Sequence, residues 1–177
     1  MADFEIWLSG LLGQRKDAAK RLLSDRTALH FLIAWSLFES KCAGGRFEMK
    51  SLLDEKFFPA PIAAEQVSLR DLAATFHARY QDANRLSTLA PSELTPRDVL
   101  GKMQTLLLLP ETQLSAIDHC FVCAFVAARI RNNMFHGVKG IDDWLRDKSL
   151  IEKGIGVLQL FVSGAERVRP TLTLATA

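Results

Sequence analysis

A chain of 177 residues in which 49% are hydrophobic is long enough to bury a substantial core as one domain and too apolar for a largely disordered segment. The net charge of +2 neither demands nor excludes a nucleic-acid partner, so any basic surface has to be local.

Helix signals dominate from the start. SDRTALHFLIAWSLFESKCAGG offers Ser24 or Asp25 as a cap, apolar residues on nearly every face from Ala28 to Phe38, and Gly44–Gly45 as a stop. A helix apolar all round belongs in the middle of a bundle. EMKSLLDEKFFPAP reads as a short, weaker helix closed by Pro59 and Pro61. SLRDLAATFHARYQDANRLSTL begins on a Ser68/Asp71 pair resembling a capping box, and spaces Leu69, Leu72, Ala73, Phe76, Tyr80, Ala83 and Leu86 as one helix. TPRDVLGKMQTLLLLP has Thr95 as cap, Pro96 at the first helical position and Pro110 as stop. A longer helix follows from about Thr112 to about Phe135, with Gly137 placed to end it. The last runs from about Asp142 to Val168, where Gly154 and Gly156 lower the propensity and mark close helix approach. With no β alternation or internal repeat, the expectation is an all-α bundle of five or six helices: one domain over residues 1–169, then a flexible tail, 170–177.

Three cysteines, Cys42, Cys120 and Cys123, are an odd number. The N-terminus, MADFEIWLSGLLGQRK, lacks the basic start and long apolar run of a signal peptide. Reduced thiols and a cytoplasmic location are expected. HCFVC (His119 to Cys123) resembles half of a metal site, but zinc takes four ligands and no second cysteine pair exists. Buried small residues are the better reading of Cys120 and Cys123, and no metal or cofactor is expected. His30 and His77, in apolar helices, read as structural or partly exposed, and Trp7, Trp35 and Trp144 as packing or interface residues.

The chemistry concentrates in RNNMFHG, Arg131 to Gly137, where an apolar helix ends in polar residues. On an ideal helix Arg129 and His136 lie about 20° apart, Asn132 about 40° and Asn133 about 60° from His136, but Arg131 about 140° away. For Arg131 and His136 to meet one substrate, the helix has to unwind near Gly137 or two chains have to combine their motifs. From His119 to Ile141 there is no acid, whereas Arg129, Arg131 and Lys139 are cations. Such a site suits a phosphate and not a magnesium ion. An imidazole beside guanidinium groups can exchange a proton with a ribose hydroxyl while arginine stabilises charge growing on the phosphoryl oxygens. The asparagines would orient the histidine or bind substrate. Arginine, asparagine, histidine and glycine are also ordinary residues of a helix C-terminus, and that plainer reading stands beside the chemical one.

RNNMFHG resembles the Arg-polar-x-x-x-His motif of the HEPN superfamily, small α-helical proteins of bacterial toxin–antitoxin and antiviral systems, with Asn132 in the polar place after Arg131. FLIAWSLFES, residues 31–40, is similar to an early HEPN helix, with Glu39 as a polar residue that could face the motif. The resemblance implies a metal-independent endoribonuclease with Arg131 and His136 catalytic, and Asn132, Asn133, Glu39, Arg129 and Lys139 supporting catalysis or binding RNA. It also implies a homodimer whose motif helices line one cleft, and an antitoxin partner of nucleotidyltransferase type. The alternative is a non-catalytic helical binding or dimerisation module.

Overall fold

The described residues include six α-helices and four short 3-10 turns and no strand, so the chain is all-α as expected. The computed structural model describes Ile6, Gly10, Lys20 and residues 23–59, 61–135 and 146–168, the side chain of Phe135 excepted. Trp7, Trp144 and the tail 170–177 lie outside the described residues. None of the described helices is long and apolar enough to cross a membrane.

Helix α1 (Thr27–Cys42) starts where Asp25 Oδ1 accepts the Thr27 N–H at 2.8 Å. It stops where Gly44 and Gly45 take φ of 65° and 100°, letting the Gly45 N–H turn back to the Glu39 carbonyl at 2.8 Å. Contrary to the sequence expectation, α1 is not the centre of the bundle. Phe31, Ala34, Trp35 and Phe38 face inward, while Leu29, Ile33 and Leu37 are about half exposed. Uniform apolarity told that α1 has no strongly polar face, not which helix its neighbours would surround. The weak helix expected after Gly45 is two 3-10 turns, Met49–Leu53 and Glu55–Phe57.

The next segment departs from its prediction at both ends. Helix α2 runs over Ala63–Tyr80, because Glu65 Oε2 accepts the Ile62 N–H at 3.2 Å and fixes the start ahead of Ser68. Ser68 sits inside the helix, its hydroxyl on the Ala64 carbonyl. The chain then breaks, and Asp82 starts a separate helix, α3 (Ala83–Leu89), by accepting from the N–H groups of Asn84 and Arg85. Helix α4 spans Arg97–Leu108 with Pro96 rather than Thr95 at its cap position. His77, buried on α2, turns Nε2 toward the carbonyls of Leu106 and Leu109 at the end of α4, the structural role expected of it.

Helix α5 spans Ala116–Phe135 and is the true centre. It begins later than Thr112, since Asp118 Oδ2 accepts from the Ser115 N–H and hydroxyl, and Ser115 Oγ from the Asp118 N–H. From Cys120 to Ile130 every residue is buried, against α2 on one side and α6 (Lys148–Val168) on another. The other face of α6 covers α1.

The two glycines of α6 differ in what surrounds them. A Cβ at Gly154 would lie 3.0 Å from Phe31 Cε2 and 3.1 Å from Ile130 Cδ1, so α1, α5 and α6 converge there. At Gly156 the nearest atom, Leu72 Cδ1, is 4.0 Å away. Gly154→Val is expected to destabilise by about 2 kcal/mol or more through overpacking. Gly156→Ala, with space available, gains roughly 0.5–1 kcal/mol of helix propensity. Urea denaturation midpoints shifting in opposite directions check the pair, and equal shifts would contradict the close approach.

Two carboxylates tie distant elements together. Asp25 accepts from Lys148 Nζ at 2.8 Å, which with the Thr27 bonds holds its pKa down from the usual 3.8 to about 2. Glu65 receives both Arg167 Nη groups, which with the Ile62 N–H lowers its pKa too. A native pKa below the unfolded value contributes stability above the ordinary carboxylate range and loses it as pH falls toward the native value. Thermal stability is expected to drop between about pH 4.5 and pH 2, and Asp25→Asn to flatten that slope. An unchanged slope in the variant would show that Asp25 contributes nothing to it.

Candidate active site

The core helix α5 becomes polar in two steps. The first lies inside the protein. Arg129 is 1% exposed, and its guanidinium donates from Nε to Leu89 O at 3.0 Å, from Nη1 to Leu94 O at 3.0 Å and from Nη2 to Asn133 Oδ1 at 3.2 Å. Asn133, one turn on and also buried, completes the clamp by donating from Nδ2 to Leu89 O at 3.1 Å. Leu89 ends α3 and Leu94 ends the following 3-10 turn, Ser92–Leu94. Carbonyls at such ends lack intrahelical partners and carry partial negative charge, which a buried cation answers. Burial pushes the Arg129 pKa down from the ordinary arginine range. Arg129 and Asn133, expected to support catalysis or bind RNA, are interior residues whose described hydrogen bonds run to the fold.

The second step reaches the surface. Arg131 and Asn132 are half-buried, and Arg131 Nη1 donates to Asn132 Oδ1 at 3.3 Å. On the helical wheel Arg131 lies about 160° round from Arg129, so the two cations leave opposite sides of α5. The Arg131 guanidinium carbon stands 5.9 Å from the centre of the Trp35 ring on α1. Glu39, one turn beyond Trp35, accepts the Phe47 N–H at 3.4 Å and so secures the chain after α1. The α1 residue against the Arg131 guanidinium is thus Trp35, for which the sequence predicts a packing or interface role. A contact between residues so far apart in the chain has no local signature, and only the nearness of Trp35 to Glu39 hinted at it. His136, Gly137 and Lys139 lie outside the described residues, so how Arg131 and His136 stand to each other is not part of the described geometry.

Other reactive side chains have quieter surroundings. Cys120 and Cys123 are buried on α5, and desolvation raises the Cys120 thiol to about 11 and Cys123 well above the ordinary range. Thiols held protonated are poor nucleophiles and poor metal ligands. Burial lowers the pKa of His119, whose Nε2 lies 3.6 Å from Glu111 Oε1. Among the described residues no group of three or more His, Cys, Asp or Glu could hold a metal ion.

Comparison of the chain with protein-family models, with curated proteins and with solved structures returned no match.

Proposed function

We propose that this protein is a metal-independent endoribonuclease of HEPN type, cleaving single-stranded RNA with Arg131 and His136, and that it serves as a toxin or antiviral effector in the cytoplasm. The observation that carries this reading is where Arg131 and Asn132 stand. They are the half-buried polar pair at which the apolar run of α5 ends, so a rigidly packed helix carries them. A guanidinium on a rigid support is what a developing phosphoryl charge requires.

In this mechanism the ribose 2′-oxygen attacks the adjacent phosphorus, the O2′–P bond forms and the P–O5′ bond breaks. His136 exchanges the protons, one leaving the 2′-hydroxyl and one reaching O5′, while Arg131 binds the non-bridging oxygens. The products are a 2′,3′-cyclic phosphate and a 5′-hydroxyl, with no divalent ion needed. The test is cleavage of RNA in excess chelator by the wild type, His136→Ala and Arg131→Ala. Equal cleavage by all three overturns the assignment.

A two-fold dimer with the motif near its interface is part of the proposal. From Cys120 to Ile130 α5 is buried in its own subunit, so such a contact would use an end of the helix, and the motif stands at its last turn. The half-exposed stripe Leu29, Ile33 and Leu37 lies on the side of α1 turned away from Trp35 and is apolar area that a partner chain would cover. Light scattering is expected to give the mass of two chains, and Ile33→Asp, a half-exposed position, to give a folded monomer with little activity. A fully active monomer would rule out a composite cleft. The same stripe also favours the second reading, a non-catalytic helical interaction module, which predicts association without cleavage of RNA. A nucleotidyltransferase-type antitoxin is the partner proposed for the toxin role.

A further inference from the structure

We infer that Trp35 is the positioning residue for Arg131: its ring face holds the guanidinium in the orientation from which it meets the substrate phosphate. This rests on the functional reading above. Trp35 is 4% exposed and its ring is boxed in, 6.4 Å from Phe31, 5.3 Å from Phe38 and edge-on to Phe47 at 5.2 Å. A ring so confined presents a fixed π surface. The guanidinium carbon lies 5.9 Å from its centre, within the range of cation–π attraction, for which indole is the strongest aromatic partner. Asn132 Oδ1, at 3.3 Å from Nη1, gives the same group a second constraint. An arginine side chain free in solvent samples many rotamers, and each restraint on the fork removes an ordering cost at the moment the phosphate binds.

The indole nitrogen strengthens the argument. Trp35 Nε1 is buried and finds no hydrogen-bond acceptor among the described residues. A buried donor without an acceptor costs free energy that a phenylalanine would avoid. If the site needed only apolar filling, the N–H would be a liability without return. A face that attracts a guanidinium more strongly than a phenyl ring does is a return.

The experiment is RNA cleavage in excess chelator under single-turnover and steady-state conditions, for Trp35→Leu and Trp35→Phe, each alone and combined with Arg131→Ala. Trp35→Leu is expected to lower kcat about tenfold or more with KM changed less than about threefold, because the lost interaction acts in the transition state. Trp35→Phe keeps an aromatic face and removes the orphan N–H. It is expected to fold at least as stably as the wild type and to lose roughly two- to fivefold in kcat. In the Arg131→Ala background both substitutions are expected to have no further effect on the rate. A purely structural role would lower the rate by the same factor in both backgrounds, and that result overturns the inference while leaving the nuclease reading intact. Unchanged kcat in Trp35→Phe together with additive loss in Trp35→Leu does the same. A wild type that cleaves no RNA overturns the nuclease reading and this inference with it.

Discussion

Arg129→Met is expected to destabilise the protein by about 3 kcal/mol. The substitution keeps much of the side-chain volume, so the loss comes from polar groups rather than from a cavity. Leu94 O and Asn133 Oδ1 lose their described donors, whereas Leu89 O keeps Asn133 Nδ2. The buried Asn133 Oδ1 left unmatched costs about 1–3 kcal/mol and the part-buried Leu94 O less, and relief from burying a positive charge offsets part of the total. Arg129→Lys is expected to recover little, because one ammonium cannot span the positions that the planar fork reaches. Denaturant unfolding checks the value through a lower midpoint at unchanged slope. A variant as stable as the wild type would mean that the clamp only balances the cost of burying its charge. If Arg129 touched RNA instead, KM would rise in the Met variant with stability unaltered.

This clamp shows how far the sequence could be read. Period and composition were enough for an all-α chain, for the Gly44–Gly45 stop of α1, and for the burial of Cys120 and Cys123, while of Ser24 and Asp25 it is Asp25 that accepts an N–H at the start of α1, with Arg26 in the cap position. They failed where a boundary is decided by one side chain meeting one N–H group. Glu65 on Ile62 moved the start of α2, and Asp82 split off α3 from what periodicity joined. They failed again where the answer lies across the fold. An arginine, an arginine and two asparagines within five residues look alike in a sequence, yet the carbonyl ends at Leu89 and Leu94 draw Arg129 and Asn133 inward. Arg131, on the other side of the helix, stands over Trp35 instead. The assignment of α1 as central failed for a related reason. Apolarity on every face is shared by a buried helix and by one with an exposed stripe for a partner.

The proposed catalytic pair makes the largest prediction. His136→Ala is expected to lower single-turnover cleavage in excess chelator by about 10²–10⁴-fold, the usual contribution of a positioned acid or base. Arg131→Ala is expected to lose about 10²–10³-fold, comparable to removing one donor from a developing oxyanion. The two losses should not multiply, because proton transfer and charge stabilisation belong to one transition state, so the double variant falls little below the weaker single one. Arg131→Lys keeps the charge but not the bidentate fork or the flat stacking surface, and its rate is expected to lie between wild type and Arg131→Ala. RNA binding by the His136→Ala protein should survive and weaken as salt rises, since cations neutralising phosphates release counterions. Wild-type cleavage that disappears in chelator would place the chemistry on a metal, and an Arg131→Ala protein that cleaves at the wild-type rate would leave the guanidinium over Trp35 as packing.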